Sequence, residues 1–202
     1  SLSGAFSSGL DFRATMLRDS SDRGADLDAA FHGLIRAVRA LDKPVIALVD
    51  GPAVGFGCDL ALACDLRLAA PRTRFGEIFI KRGLMPDGGS TYTLPRLVGV
   101  GRALELMMLG DSVPAEEALR IGLLNAILED GGAAQQYAQR LADGPPLVLR
   151  EIKRAVYDAL DGSLDQALEG EVRGQMKLLR TADFAEGMNA FFNKRPPHFT
   201  GH

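Results

Sequence analysis

The chain has 202 residues, with 23 Lys plus Arg against 26 Asp plus Glu, a formal net charge of −3, 47% hydrophobic and 24% charged residues, and 23 glycines. That length and balance suit one globular domain with a sizeable core, or two very small ones, and exclude a disordered or collagen-like chain. The mild acidity argues against a large nucleic-acid surface, which needs clustered Lys and Arg, and no apolar run reaches the roughly 18 residues needed to cross a bilayer.

Gly4, Ser7, Ser8 and Gly9 read as a loop. Leu27, Phe31, Leu34, Ile35, Val38 and Leu41 recur at helical spacing, and Pro44 follows as a stop signal. Val45 to Val49 is a short apolar run rich in β-branched residues, which predicts a strand buried on both faces and hence parallel. A glycine-marked turn, Gly51 to Gly57, leads into an alanine-rich helix through Cys64. Leu66 to Ala70 and Phe75 to Phe79 are expected strands. Pro86-Asp-Gly-Gly89 opens a short helix that Pro95 is expected to close. Residues 101–109 and 114–121 read as helical, with Ser112 as a candidate N-cap, and Leu123 to Leu128 as a last strand.

From about Gly131 the chain is helical to its end. Val148, Ile152, Val156 and Ala159 form one apolar stripe, and Asp183 with Glu186 suggests a capping box. Alternating strands and helices followed by helices predict an α/β core over 1–144 and a helical part over 145–202, with Gly144-Pro-Pro146 as the boundary. Cys58 and Cys64 have neither metal nor disulfide-framework spacing. They read as buried thiols of a reducing, cytoplasmic setting. Three histidines, His32, His198 and His202, argue against a multi-histidine metal centre. No secretory signal is visible in these residues, and the chain starts at Ser1 rather than Met.

The chemistry concentrates where a buried strand ends, glycines turn the chain and a helix starts near Phe56. Backbone N–H groups at such a helix start lack intrahelical acceptors and lie at the positive end of its dipole. Gly55-x-Gly57 is a weak dinucleotide fingerprint, since its third glycine is missing and Asp59 would repel a pyrophosphate. An oxyanion hole, which stabilises charge developing on a carbonyl oxygen, is the better use of these amides. The Gly4–Asp11 turn offers a second backbone donor.

Several segments carry a family resemblance: Ala5-Phe-Ser-Ser-Gly-Leu-Asp11, Lys43 through Asp65 with its Asp-Gly-Pro-Ala-Val-Gly-Phe-Gly-Cys-Asp59 turn, Arg74-Phe-Gly76, Gly83-Leu-Met-Pro-Asp-Gly-Gly-Ser90, Leu94-Pro-Arg-Leu-Val-Gly99 and Ala115-Glu-Glu-Ala-Leu-Arg-Ile-Gly122. In this order and spacing they resemble the crotonase superfamily, the enoyl-CoA hydratase/isomerase group. The likeness runs from about Gly4 to Lys194-Arg195. It implies a ββα spiral, a C-terminal helical region that packs trimers or dimers of trimers, and an acyl-CoA thioester ligand with no separate cofactor. The strands and helix that would precede Ala5 in that pattern have no counterpart here, and an exposed sheet edge follows from that expectation.

By position, the family's two thioester-holding amides fall on Leu10 and Phe56, each worth about 3 kcal/mol to an enolate-like transition state. Phe56 stands where glycine is more usual and is expected to reshape the pocket wall. The first hydratase glutamate falls on Asp59 and the second on Phe79, which accepts no proton. Glu77, two residues earlier, would share a strand face with Phe79. It is a candidate assisting acid, although a solvated or salt-bridged charge is its plainer reading. Asp87 stands where isomerase branches carry a catalytic carboxylate, which can take a proton from one carbon and return it to another; as a plain residue it reads as a helix N-cap. Asp59 either assists or satisfies the helix dipole. Asp11 and Asp65 read as turn residues, and Arg72, Arg74, Lys81 and Arg82 as a solvated face. Lys194 and Arg195 are candidates for CoA phosphates. The expected function is an enoyl-CoA isomerase. The alternatives are an enoyl-CoA hydratase and a non-catalytic acyl-CoA-binding relative.

Overall fold

The computed structural model describes residues 4–11 and 27–202. They form two compact units, one from residues 1–41 and 45–134, the other from 42–44 and 135–202. The loop and helix around residues 12–42, which the family resemblance makes much of the pocket wall, lie outside the described residues over 12–26.

In the first unit a wide, π-type helical turn, Leu27–His32, runs into α1 (Gly33–Ala40), which buries Ile35. Then follow β1 (Ile46–Val49), β2 (Pro52–Val54), α2 (Phe56–Ala63), β3 (Leu66–Ala69), β4 (Arg74–Gly76), a 3-10 helix (Ile78–Arg82), α3 (Ser90–Val98), α4 (Val100–Leu109), β5 (Val113–Pro114), α5 (Ala115–Arg120) and β6 (Ala126–Ile127). The strands make two small sheets, ordered β1-β3-β6 and β2-β4-β5. β1, β3 and β6 are parallel, with Val49 opposite Ala69 and Leu68 opposite Ala126; β2 and β4 are parallel, with Ala53 opposite Phe75. The passes through β1-β2 and β3-β4 each lay one strand in the first sheet and the next in the second, then return by helices; β5 joins the second sheet antiparallel to β4, and α5 leads to β6 in the first. Parallel pairing requires such a crossover. This is a ββα spiral, and its helices close over a core that includes Val49, Ala61, Leu62, Phe75, Leu94 and Leu123.

Arg67 and Asp65 beside this core find partners, as burial demands. The Arg67 guanidinium donates to the carbonyls of Leu123 and Cys64, both at 2.7 Å. The Asp65 carboxylate accepts from Val45 N–H at 2.7 Å, as a turn residue should. Cys58 and Cys64 are buried free thiols.

Several local expectations are corrected. β4 ends at Gly76, because Glu77 leaves the extended region (φ −88°, ψ 68°) and starts the 3-10 helix, so Phe79 is not on a strand. β1 is parallel, but Leu48 is 49% exposed, so only one face is buried. Pro95 lies inside α3; the ladder resumes at once with Gly99 N–H on Pro95 C=O at 3.0 Å. Ser112 does not cap α5, whose N-cap position is Pro114. The last strand is confined to Ala126–Ile127.

The second unit holds α7 (Pro146–Ala159), α8 (Leu164–Leu178), α9 (Ala182–Phe192) and most of α6 (Gly131–Ala142). The Gly144-Pro145-Pro146 break separates α6 from α7, and the compact units part earlier, between 134 and 135. The capping box sits on α8, where Ser163 Oγ accepts from Gln166 N–H and Gln166 Oε1 accepts from Ser163 N–H at 2.8 Å. α9 is instead capped by Thr181, whose Oγ1 accepts from Phe184 N–H at 3.1 Å. Asp183 lies too late in the chain to cap and accepts from Thr200 and Gly201 N–H at 2.7 and 2.9 Å. Ile152 and Val156 of the expected stripe on α7 are exposed. Among the described residues, no helix is long and apolar enough to cross a membrane.

The N-terminal turn is pinned to the spiral by backbone. Phe6 and Ser7 N–H both donate to Pro52 C=O (3.0 and 3.1 Å), and Val54 N–H donates to Ser7 C=O at 3.0 Å. Gly57, in the first turn of α2, packs against Ser7: a Cβ there would stand 2.6 Å from both Ser7 Cβ and Ser7 O. Gly57→Ala is expected to lower the unfolding free energy by about 1–3 kcal/mol, the usual cost of overpacking. Denaturant titration measures it, and an unchanged midpoint would mean that the turn yields freely.

Candidate active site

The amides that open α2 face the Gly4–Asp11 turn. Gly9 approaches so closely that a Cβ on it would stand 3.5 Å from Phe56 N. Leu10 and Phe56, the two expected oxyanion residues, line one narrow cleft together with Ile78 and Phe79. The Phe56 side chain meets the Phe31 ring edge-on, with centroids 4.9 Å apart at 72°, a favourable aromatic geometry.

Three carboxyl groups from three different elements cluster next to these turns. Asp59 sits in the first turn of α2 and is 1% exposed; Glu77 stands at the end of β4 and is 2% exposed. Glu77 is therefore not solvated, and no salt bridge holds it among the described residues. Its backbone turns into the 3-10 helix, and Glu77 Oε2 accepts from the buried Ser90 Oγ at 3.2 Å. Asp87, on the turn before α3, is half-buried. Gly88 presses directly on Asp59, where a Cβ would stand 2.5–2.6 Å from the Asp59 Cβ, Cγ and Oδ2 atoms. Both Asp59 oxygens, Glu77 Oε1 and Asp87 Oδ1 are buried without a hydrogen-bond partner.

These surroundings raise all three acids. Burial pushes Asp59 up to about 6, tempered by Ser90 and the Gly88 amide and reinforced by the charge of Asp87. Burial, then the neighbouring Asp59 charge, pushes Glu77 up to about 8. Burial also raises Asp87, opposed by the nearby His32. An unpaired buried carboxyl favours its neutral form, so burial shifts all three acids towards holding their protons.

Asp87 is not a helix cap. α3 begins at Ser90 with Gly89 (φ 90°) at the N-cap position and no side-chain cap bond. Three further residues belong to the site that the sequence does not single out. Ser90 carries the Glu77 bond. Phe31 braces Phe56. His32 Nε2 lies 2.8 Å from the backbone carbonyl of Asp87. A serine opening a helix after Gly-Gly is a readable signal, but His32, 55 positions before Asp87, offers none.

Arg72, of the expected solvated face, is exposed and ion-paired with Asp50. Arg195, in the second unit, forms a two-pronged pair with Glu186 at 2.6 and 2.7 Å, and Lys194 has a left-handed backbone (φ 52°). Among the described residues no cluster of three or more His, Cys, Asp or Glu is arranged to hold a metal ion.

This geometry matches known proteins along the whole chain. The sequence model of the enoyl-CoA hydratase/isomerase family matches residues 1–202. The chain is 39% identical to a probable enoyl-CoA hydratase of Rhodobacter capsulatus, covering 98% of this chain and 77% of that one. It is 40% identical to the 1,2-epoxyphenylacetyl-CoA isomerase of Escherichia coli, covering 89% and 70%. Among solved structures, a putative enoyl-CoA hydratase of Streptomyces coelicolor superposes with a TM-score of 0.89 at 43% identity, over 95% of this chain and 71% of that one. An enoyl-CoA hydratase of Bacillus anthracis gives 0.92 at 31% identity, over 96% and 76%. With its ββα spiral and its paired glycine turns, the chain belongs to the enoyl-CoA hydratase/isomerase family and has the crotonase fold.

Proposed function

We propose that the chain is an enoyl-CoA isomerase working by a single-carboxylate proton shuttle. The thioester oxygen of an acyl-CoA accepts hydrogen bonds from the N–H groups of Leu10 and Phe56. The Asp87 carboxylate removes a proton from the α-carbon of a 3-enoyl thioester, the electron pair moves onto the thioester oxygen, and the resulting acid returns the proton at the γ-carbon. Atoms and charge balance, and Asp87 ends as it began. Coenzyme A belongs to the substrate, and no other cofactor is required. The observation that carries this reading is the difference in access: Asp59 and Glu77 are sealed, whereas Asp87 is half-open with an unpartnered oxygen. Phe79, where a hydratase glutamate would stand, supports it, and so does the likeness to an isomerase acting on 1,2-epoxyphenylacetyl-CoA. Asp59 orients the Gly88 turn rather than touching substrate.

Hydration is the second reading, favoured by relatives named hydratase at similar identity; there Asp59, with Asp87 or Glu77, would activate water. Lys194 and Arg195 are proposed contacts for CoA phosphates, Arg195 having to leave Glu186 to make one. The exposed Ile152, Val156, Val172 and Phe191 of the second unit support assembly into homotrimers or dimers of trimers. Sedimentation velocity is expected to show them, and a stable monomer at micromolar concentration would count against that assembly.

Asp87→Asn is expected to lower isomerase turnover with a 3-enoyl-CoA by about a hundredfold or more, with the thermal midpoint little changed. Full turnover in the variant would remove Asp87 as the base. Hydration of trans-2-enoyl-CoA by the native protein, without isomerisation of the 3-enoyl substrate, would favour the second reading. Binding without α-proton exchange in deuterated water would favour a non-catalytic relative.

The buried pair has a consequence for stability. The folded-state values of Asp59 and Glu77 lie above those of the unfolded chain. Their contribution is therefore fully present at low pH. It declines as pH rises past the ordinary carboxylate range and is lost through about 6 and then about 8. Asp59→Asn and Glu77→Gln are expected to flatten this decline. Denaturant unfolding at about pH 5 and about pH 9 measures it, and an equal slope in native and variant proteins would show that the pair is not neutral in the fold.

A further inference from the structure

The π-type helical turn Leu27–His32 reaches both halves of the site with two consecutive side chains. Phe31 meets Phe56 of the amide-bearing turn, and His32 meets the turn that carries Asp87. Such wide turns within helices occur often at functional sites. The His32 ring is fixed at both nitrogens: Nε2 lies 2.8 Å from the Asp87 carbonyl oxygen and Nδ1 lies 3.2 Å from Asp28 Oδ1. That same Asp28 oxygen also accepts from Arg36 at 2.9 Å. A carbonyl oxygen only accepts, so Nε2 carries the hydrogen that reaches it, and the protonated ring donates from Nδ1 to the Asp28 carboxylate as well.

Resting on the assignment of Asp87 as the proton shuttle, we propose that His32 is a positioning residue of the reaction: its ring tethers the Asp87 backbone and, when protonated, sets a positive charge beside the Asp87 carboxyl. The tether fixes where the carboxyl oxygen stands relative to the α- and γ-carbons, which a shuttle between two carbons requires. In its protonated form the ring opposes the effect of burial and favours the basic form of Asp87. The groups that face this arrangement are Asp28 and Arg36 on the helical side, Asp87 on the turn, and Asp59 and Glu77 behind it. With its side chain 39% exposed, His32 can be replaced without opening the core.

Two variants separate tether from charge. His32→Gln can still donate to the Asp87 carbonyl but carries no charge. His32→Ala loses both. In steady-state assays with a 3-enoyl-CoA, His32→Ala is expected to lower kcat by roughly ten- to a hundredfold with KM within about twofold. His32→Gln is expected to recover most of kcat on the alkaline side, while the acid limb of its kcat/KM profile moves to higher pH. The direction follows from the sign: removing a cation raises the carboxyl it faces. A purely structural histidine would change the thermal midpoint without moving that limb. Wild-type kcat and an unmoved acid limb in both variants would overturn the proposal. That outcome is distinct from failure of the shuttle itself, because Asp87→Asn would then still abolish turnover. If Asp87→Asn itself stays active, the shuttle assignment fails and the role of His32 fails with it.

Discussion

Two backbone turns from distant parts of the sequence meet at glycines, with only the small Ser7 side chain between them, and the rest of the site depends on that contact. Ser7 exchanges hydrogen bonds with the β2 backbone, and Gly57 and Gly9 bring α2 and the N-terminal turn to touching distance. Leu10 and Phe56 thus come to line one cleft. The sheets do the placing. β1 ends where β2 begins, and β2 is held in register with β4, so the start of α2 has little freedom to drift. The side chain of Phe56 is then free to become wall rather than machinery, and its contact with Phe31 makes it so.

In the acid cluster, helix-end attraction and loss of water act in opposite directions. Asp59 lies in the first turn of a helix, a place worth about 0.3–1 kcal/mol to a carboxylate. It is also sealed from water without a partner, and desolvating an ion costs several kcal/mol. Desolvation outweighs the attraction, and Asp59 and Glu77 are driven towards their neutral forms. Asp87 is raised by burial too, with the nearby His32 opposing it. Two sealed acids thus stand beside one that is partly open.

Much of this was legible in the residues. The strand–turn–helix at Val45–Cys64, the parallel pairing, the helical end of the chain and the meeting of Leu10 with Phe56 follow from apolar patterning, glycine placement and the family motifs. What was not legible has a common physical cause: it depends on backbone angles at single residues or on contacts far apart in sequence. Glu77 looked like a strand residue beside Phe79, yet the chain leaves the extended region there and its carboxyl meets Ser90. Asp87 looked like a helix cap, yet the cap position falls on Gly89. Asp183 and Glu186 have the spacing of a capping box, but the helix starts too early for it, and both acids hold the C-terminal segment instead. His32 becomes visible only when the fold brings a helical turn against residue 87.

The seat of Gly88 on Asp59 also shapes how this sequence can change. There is no room for even a methyl group at position 88 while a carboxyl-bearing side chain occupies position 59 in this pose. A side chain at 88 would require position 59 to retreat, so a change at 88 first needs a smaller residue at 59. A buried carboxyl in α2 thus limits which loop sequences can carry Asp87.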